Sequence, residues 1–313
     1  MADKKYFAYF CDDTIRCLEY LNRDHPASVF DNPFFAIHKR LHDKYGFKVQ
    51  FNLFFQNVTG TFNLGMMTAD YKDEFEANSD WLKFGFHARQ EFPDFPHLNS
   101  TYEQTSTDFE DVSNNIVRFA GKKCLTDSNI NHWVSMSKEG VQALVDHGVK
   151  CISCTSGDKD DSPEARCALA SNHIQILLSE KSGVSKPSVV RYYTNGTAGL
   201  PYLANYNNLT SKQRDEYYGK LHFYVDPETG MMYNRFAGVT LNATKLKDLP
   251  KVFANGLLDH ELVIPVMHEQ YFYKDYYSYE PDYADKIEYA VKTLLENGFE
   301  HVSLYDLPRM QNL

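Results

Sequence analysis

The sequence predicts an α/β domain built around a parallel sheet, and two observations carry that prediction. A helical pattern closed by glycine and followed by a β-rich run occurs three times. Three separate apolar runs end abruptly in acidic or imidazole side chains.

The first helix–glycine–strand unit opens at Asp31-Asn32-Pro33, where a capping residue precedes proline at the first helical position. Phe34, Ile37, Leu41 and Tyr45 follow at spacings that share one helix face. Gly46 supplies the left-handed stop, and residues 47–55 read as extended. The second unit runs from Ser137 to Leu144, with Val141, Leu144 and Val145 on one face. Gly148 ends it, and Val149-Lys150-Cys151-Ile152 is the strand. The third carries Tyr283, Ile287, Ala290, Val291 and Leu294, stops at Gly298, and continues into a strand over 299–304. The three units share a structural device rather than a repeated sequence.

Composition sets the outer limits. A chain of 313 residues that is 43% apolar has ample material for one large core. Its net charge of −10 repels phosphate backbones and anionic lipid, so neither nucleic acid nor a membrane is expected as a partner. The first residues lack the apolar stretch of a signal peptide, and no run of 18 apolar residues occurs, which predicts a soluble, cytoplasmic protein. Six cysteines (Cys11, Cys17, Cys124, Cys151, Cys154 and Cys167) are too sparse for a disulfide framework. The lone Cys151-Ile152-Ser153-Cys154 reads better as reduced thiols at a buried strand end than as a zinc or redox pair.

Residues from about 156 to 262 differ in texture. Residues 157–163 form a polar loop, and Thr210-Ser211-Lys212-Gln213 has the form of a helix-start box. The runs 221–225 and 231–236 flank Asp226-Pro227-Glu228-Thr229-Gly230, the chemistry of a hairpin turn. The stretch reads as an antiparallel insertion, an α+β subdomain within a single catalytic domain spanning 1–313.

The candidate chemistry lies at three strand ends. Tyr6-Phe7-Ala8-Tyr9-Phe10-Cys11 ends in Asp12-Asp13, Leu82-Lys83-Phe84-Gly85-Phe86 ends in His87, and Leu262-Val263-Ile264-Pro265-Val266-Met267 ends in His268-Glu269. Parallel α/β folds build sites at the carboxyl ends of their strands, so these residues are expected on one rim. Carboxylates and imidazoles converging there bind a divalent metal or move protons. Singly, the acidic pair reads equally well as the cap of a helix over 14–21, and each histidine as a hydrogen-bonded core residue. Three strands ending alike favour a site.

The arrangement resembles the polysaccharide deacetylase superfamily, carbohydrate esterases on a distorted (β/α) barrel. The resemblance rests on the order Asp-Asp, His, His and spans most of the chain. It implies that Asp12 is the general base, Asp13 a metal ligand, His87 in Phe84-Gly85-Phe86-His87-Ala88 a second ligand, and His268 the group that protonates the departing atom. Arg118, in Asn115-Ile116-Val117-Arg118-Phe119, resembles in position the arginine that supports the base. The family spaces its two ligand histidines as H-x-x-x-H, and this chain departs from it: Glu91 stands four residues after His87. His97, after Phe92-Pro93-Asp94-Phe95-Pro96, is the expected third ligand. Glu91 and His132, in Asn131-His132-Trp133, remain alternatives, with His132 and Glu269 otherwise in supporting roles.

The expected function is a metal-dependent hydrolase that removes acetyl groups from N- or O-acetylated carbohydrate. Zinc is the expected ion, with nickel, cobalt or manganese open. Trp81, Trp133 and the run Tyr271-Phe272-Tyr273-Lys274-Asp275-Tyr276-Tyr277-Ser278-Tyr279 offer aromatic faces for sugar rings near the rim, while most of the 44 Phe and Tyr residues fill the core. Two alternatives stand beside this reading. One is a glycoside hydrolase using two carboxylates among Asp12, Asp13 and Glu269. The other is a non-catalytic carbohydrate-binding protein on a decayed deacetylase fold. Oligomeric state stays open.

Overall fold

A computed structural model describes residues 4–92, 96–97, 100–134, 136–154 and 216–310. Its strands are β1 (Lys5–Phe7), β2 (Phe10–Thr14), β3 (Val49–Phe54), β4 (Leu82–Ala88), β5 (Ser128–Asn129), β6 (Cys151–Cys154), β7 (Tyr224–Val225), β8 (Met232–Arg235), β9 (Ala237–Thr240), β10 (Leu262–His268) and β11 (Phe299–His301). Its α-helices are α1 (Arg16–Asp24), α2 (Pro33–Tyr45), α3 (Lys72–Ala77), α4 (Tyr102–Phe119), α5 (Lys138–Asp146), α6 (Leu249–Ala254), α7 (Tyr283–Glu296) and α8 (Leu307–Met310). None is long and apolar enough to cross a membrane.

The three sequence units form as their local chemistry dictates. Asn32 Oδ1 accepts from the backbone N–H groups of Phe34 and Phe35, Pro33 takes the first position of α2, and Gly46 ends it at φ +67°. Ser137 caps α5 by accepting from the Gly140 N–H, and Gly148 and Gly298 turn the chain at φ +86° and +80°.

Strand pairing produces a closed, uneven barrel. β10, β2, β3 and β4 pair in parallel, in that order. A parallel bridge between Phe84 and Leu125 joins β4 to the segment entering β5. β5, β6 and β8 continue in parallel. β8 runs through Phe236 into β9, which pairs in parallel with β10 and closes the ring. β1 and β11 extend β10 at its N-terminal end. The predicted α/β class and barrel are therefore observed.

The barrel separates two cores with the period of two that strands impose. Leu262, Ile264 and Val266 of β10 join Phe10, Ile130 and Phe236 in the smaller cluster within the ring. Val263 and Met267 turn outward to the large cluster beneath the helices, with Phe34, Phe35, Phe51 and Phe84. Gln50 and Asn52 of β3 alternate with Val49, Phe51 and Leu53, which carries two amides into the interior. There Gln50 Nε2 donates to Asn52 Oδ1 at 2.8 Å and to the Ser128 carbonyl at 2.9 Å.

The stretch expected as an insertion divides. The hairpin is present as β7 antiparallel to β8, closed by Asp226 N–H to Met231 O and by Gly230 at φ +74°. Residues 232–240, however, belong to the barrel wall as β8 and β9. Gly238 in β9 explains why the sequence hid this: an added Cβ would lie 3.1 Å from the Ile264 carbonyl, so the strand needs a residue that breaks the apolar pattern. The loop at 157–163, the helix-start box at 210–213 and Cys167 lie outside the described residues. Cys11, Cys17, Cys124 and Cys151 are buried free thiols.

The packed polar interior makes a testable demand at Gly85. A Cβ there would stand 2.9 Å from Asn52 Oδ1 and from Thr126 Cγ2, and 3.0 Å from Gln50 Nε2. Gly85→Ala is expected to destabilise the fold by about 1–3 kcal/mol through overpacking. Urea denaturation measures this, and an unchanged midpoint with an unchanged slope would contradict the close approach of β3 and β4.

Candidate metal centre

Two local irregularities aim the site. In a regular strand Asp12 and Asp13 would face opposite sides. β2 instead carries an extra residue against β3: Cys11 pairs with Phe51, and Thr14 with Leu53. Asp13 takes up the excess at φ +58°, a left-handed conformation that Asp tolerates better than most side chains. β4 does the same. Leu53 pairs with Phe86 and Phe54 with Ala88, which makes His87 the extra residue. A third ligand candidate, His132, stands in a 3₁₀ turn just after β5, with Trp133 beside it at φ +57°.

Three ligand atoms meet at the barrel mouth. Asp13 Oδ1 lies 3.1 Å from His87 Nε2 and 3.3 Å from His132 Nδ1, and the two imidazole nitrogens are 3.0 Å apart. The opposite ring nitrogens fix the protons. His87 Nδ1 donates to the Ile130 carbonyl at 2.8 Å, and His132 Nε2 donates to the Glu91 carbonyl at 3.0 Å. A carbonyl only accepts, so each of these nitrogens carries the hydrogen. In the neutral rings the facing nitrogens then present lone pairs, as Asp13 does. Three lone pairs aimed at one another repel unless a cation lies among them. Donors about 2.0–2.1 Å from a tetrahedral or octahedral ion stand about 3.0–3.4 Å from each other, which matches the triangle. The residues present therefore fit a divalent ion.

The surrounding groups hold this set without adding positive charge. Gln270 Nε2 donates to the other Asp13 oxygen at 2.7 Å. Phe54 packs its ring 5.3 Å from His87 and 5.0 Å from His132. Burial opposes the charge on Asp13, but the facing His132 and His87 outweigh it and hold its carboxyl well below the ordinary range. Burial likewise opposes a proton on His87, yet Asp12 and Asp13 outweigh it and raise that imidazole above its ordinary value. His132, where burial prevails, is lowered.

Asp12 sits beside the triangle but outside it. Asn52 Nδ2 donates to its Oδ1 at 2.6 Å, which extends the amide chain that begins at Ser128 and Gln50. Burial pushes the Asp12 carboxyl up, only partly offset by His87 and His268. His268 pairs in register with Asp12 across β10 and β2, and its Nδ1 lies 2.9 Å from Asn242 Oδ1.

Four expectations are corrected. His97 is buried, but its Nε2 donates to the backbone carbonyl of His87 at 3.1 Å, so it braces the ligand strand from behind. Burial lowers its imidazole to about 3. His132 occupies the third ligand position, and Glu91 contributes its backbone carbonyl. Arg118, near the end of α4, donates to the Leu64 and Met67 carbonyls on the outside of the barrel, and Asn52 does the holding of Asp12. Glu269 turns away from His268. Its carboxylate accepts from the backbone N–H groups of Ile15 (2.6 Å), Arg16 (2.9 Å) and Cys17 (2.5 Å) and from the Tyr273 hydroxyl (2.7 Å), which caps α1. Trp81 lies at the start of β4, stacked on Phe30 and His42, at the end of the strand away from His87.

Sequence reasoning missed Asn52, Gln270 and Asn242. The signal for Asn52 was present: two amides, Gln50 and Asn52, two apart in an otherwise apolar strand.

No family model matches the chain, and no curated protein does. Among solved structures it is similar to the Xyl-CE4 domain of a multidomain xylanase from the hindgut metagenome of Trinervitermes trinervoides, at 10% identity and a TM-score of 0.44, over 99% of this chain and 92% of that one. A family 4 acetyl xylan esterase from Clostridium thermocellum, in complex with cobalt, is 13% identical over 99% and 93%, with a TM-score of 0.41. A CE4 family pseudoenzyme from Bacillus anthracis is 10% identical over 98% and 66%, also at 0.41.

The donor triangle separates two histidines that composition alone does not. His132→Ala, His87→Ala and Asp13→Ala are expected to lose a stoichiometric divalent ion in elemental analysis of purified protein, whereas His97→Ala keeps it. The reverse pattern for His97 and His132 would overturn the ligand set. Affinity also depends on pH. Because His87 is raised, a proton competes with the cation at its Nε2, so binding is complete above that raised value and weakens as the pH falls through it. Calorimetric metal titrations across this range should show proton release on binding, and pH-independent affinity would remove the proton–cation competition.

Proposed function

We propose that the protein is a metal-dependent hydrolase that removes acetyl groups from N- or O-acetylated carbohydrate. The observation that carries the reading is the division of labour at the barrel mouth. Three lone pairs converge on one point, while a fourth group, Asp12, stands beside them on an amide and faces His268 in the neighbouring strand. That is one ligand set, one base and one acid.

A divalent ion bound by Asp13, His87 and His132 supplies Lewis-acid polarisation of an acyl carbonyl and a site for water. Two imidazoles and one carboxylate suit zinc, and also cobalt, nickel or manganese. Asp12 takes the proton from the attacking water. Its burial supports this role, since a raised carboxyl is a stronger base than an exposed one. As the C–N or C–O bond to the sugar breaks, His268 gives a proton to the departing amine or alkoxide. The aromatic run after His268 supports a sugar as the group that carries the acetyl. Tyr271 lies 6.2 Å from the His268 ring and Tyr276 a further 5.1 Å on.

The glycoside hydrolase reading has lost its carboxylate pair. Both Glu269 oxygens hold α1, and Asp13 belongs to the ligand triangle.

Asp12→Asn tests the reading. The variant is expected to keep its metal and lose roughly 10²–10⁴-fold in kcat on acetylated oligosaccharides, the usual worth of a positioned base. Acetate release and elemental analysis read the two quantities separately. Undiminished acetate release would sink the mechanism. A wild-type protein that holds metal and binds sugar yet releases no acetate would favour the carbohydrate-binding alternative.

A further inference from the structure

The hydrogen bond between His268 and Asn242 carries an inference beyond the roles already assigned. Asn242 sits in the 3₁₀ turn Leu241–Ala243 that follows β9, and β9 is the strand that closes the barrel against β10. The pair therefore links the last wall strand to the residue proposed as the acid. His268 Nδ1 and Asn242 Oδ1 are 2.9 Å apart.

We propose that Asn242 is a positioning residue that fixes His268 in the Nδ1–H tautomer and leaves Nε2 as the atom that exchanges the proton with the leaving group. This inference rests on the hydrolase reading for its catalytic consequence, but not for the tautomer itself. The argument is one of donors and acceptors. A histidine that gives up a proton alternates between an imidazolium, which donates from both nitrogens, and a neutral ring, which donates from one. A partner that accepts at Nδ1 in both states spares the ring any reorientation during the cycle. An amide oxygen does this, whereas an amide nitrogen facing Nδ1 would clash with the imidazolium. Asn242 therefore has to present Oδ1, and Nδ1 has to keep its hydrogen.

The same device appears elsewhere in the site, which makes the pair part of a pattern. Asn52 holds Asp12 and Gln270 holds Asp13, each through a side-chain amide. At His268 the amide acts as acceptor. At the two carboxylates it acts as donor. Each group is oriented without a charge being added.

The test has an arm that needs no turnover. Full-length protein labelled with ¹⁵N at histidine, with the His268 signals assigned by their loss in His268→Gln, reports the tautomer directly. At a pH where the ring is neutral, the expected result is a protonated Nδ1 and an unprotonated Nε2. A dominant Nε2–H tautomer would overturn the proposal. In Asn242→Leu the preference should collapse toward a mixture. On an acetylated oligosaccharide, Asn242→Leu should lower kcat roughly 10- to 100-fold, part of what a positioned acid contributes, with KM and metal content unchanged. Asn242→Asp, which keeps an acceptor oxygen in place, should recover most of that loss. If Leu and Asp fall equally, or neither falls, Asn242 does not position the acid. If the tautomer is as expected but no acetate is released by the wild type, the hydrolase reading fails while the assignment of Asn242 to His268 stands.

Discussion

Two carboxylates and two imidazoles lie at the mouth of the barrel with no positive side chain bonded to them, and the fold holds three of their lone pairs within 3.0–3.3 Å of one another. Left to themselves, these groups would turn apart. They are kept together by backbone. The Ile130 and Glu91 carbonyls each take a ring hydrogen and so point the opposite nitrogen inward. The extra residues in β2 and β4 place Asp13 and His87 where ordinary strands would not. The left-handed backbone of Asp13 and Trp133 borders the same point, and such conformations persist only where their surroundings enforce them. A cation at the centre turns this mutual repulsion into attraction, which is why the arrangement reads as a metal centre rather than as a polar core.

The second constraint is charge. A guanidinium on either aspartate would orient it well but would offset the charge available to a cation. Here orientation comes from amides: Asn52 on Asp12, Gln270 on Asp13, Asn242 on His268. The chain from the Ser128 carbonyl through Gln50 and Asn52 to Asp12 crosses the barrel interior, so the base is tied to the far wall. The polar interior and the site are thus one network, and the close packing at Gly85 belongs to it.

What the sequence shows clearly is local. Asn32, Pro33 and Gly46 bound a helix because a cap, a missing donor and a left-handed stop act within a few residues. Asp12, Asp13, His87 and His268 were legible because each ends a long apolar run, and parallel strands bring their carboxyl ends together. His132 escaped because β5 is two residues long and has no apolar run to announce it. His97 misled because it has the right chemistry at a plausible distance in sequence, yet reaches the His87 backbone instead of its side chain. Arg118 and Trp81 failed on direction. One lies on the outer side of α4, the other at the wrong end of β4. Direction is a property of the closed barrel, which no short motif contains. The barrel wall at β8 and β9 was hidden for the same reason, since its pairing partners are distant in sequence.

The end of β10 shows how closely structure and chemistry are interleaved. His268, Glu269 and Gln270 are consecutive, and each serves a different part of β2 and α1. His268 stands beside Asp12 in register. Glu269 turns away and gathers the backbone N–H groups of residues 15, 16 and 17, where the N-terminus of α1 favours a negative charge. Gln270 reaches back to Asp13. The segment carrying Asp12 and Asp13 is therefore held at its sides and from beyond by a single tripeptide. Glu269 also relieves the acidic pair of the capping task that a helix starting just after it would otherwise impose. An aspartate at a strand end before a helix ordinarily satisfies that helix's free N–H groups. Because Glu269 satisfies them from another strand, Asp12 and Asp13 keep their oxygens for the site.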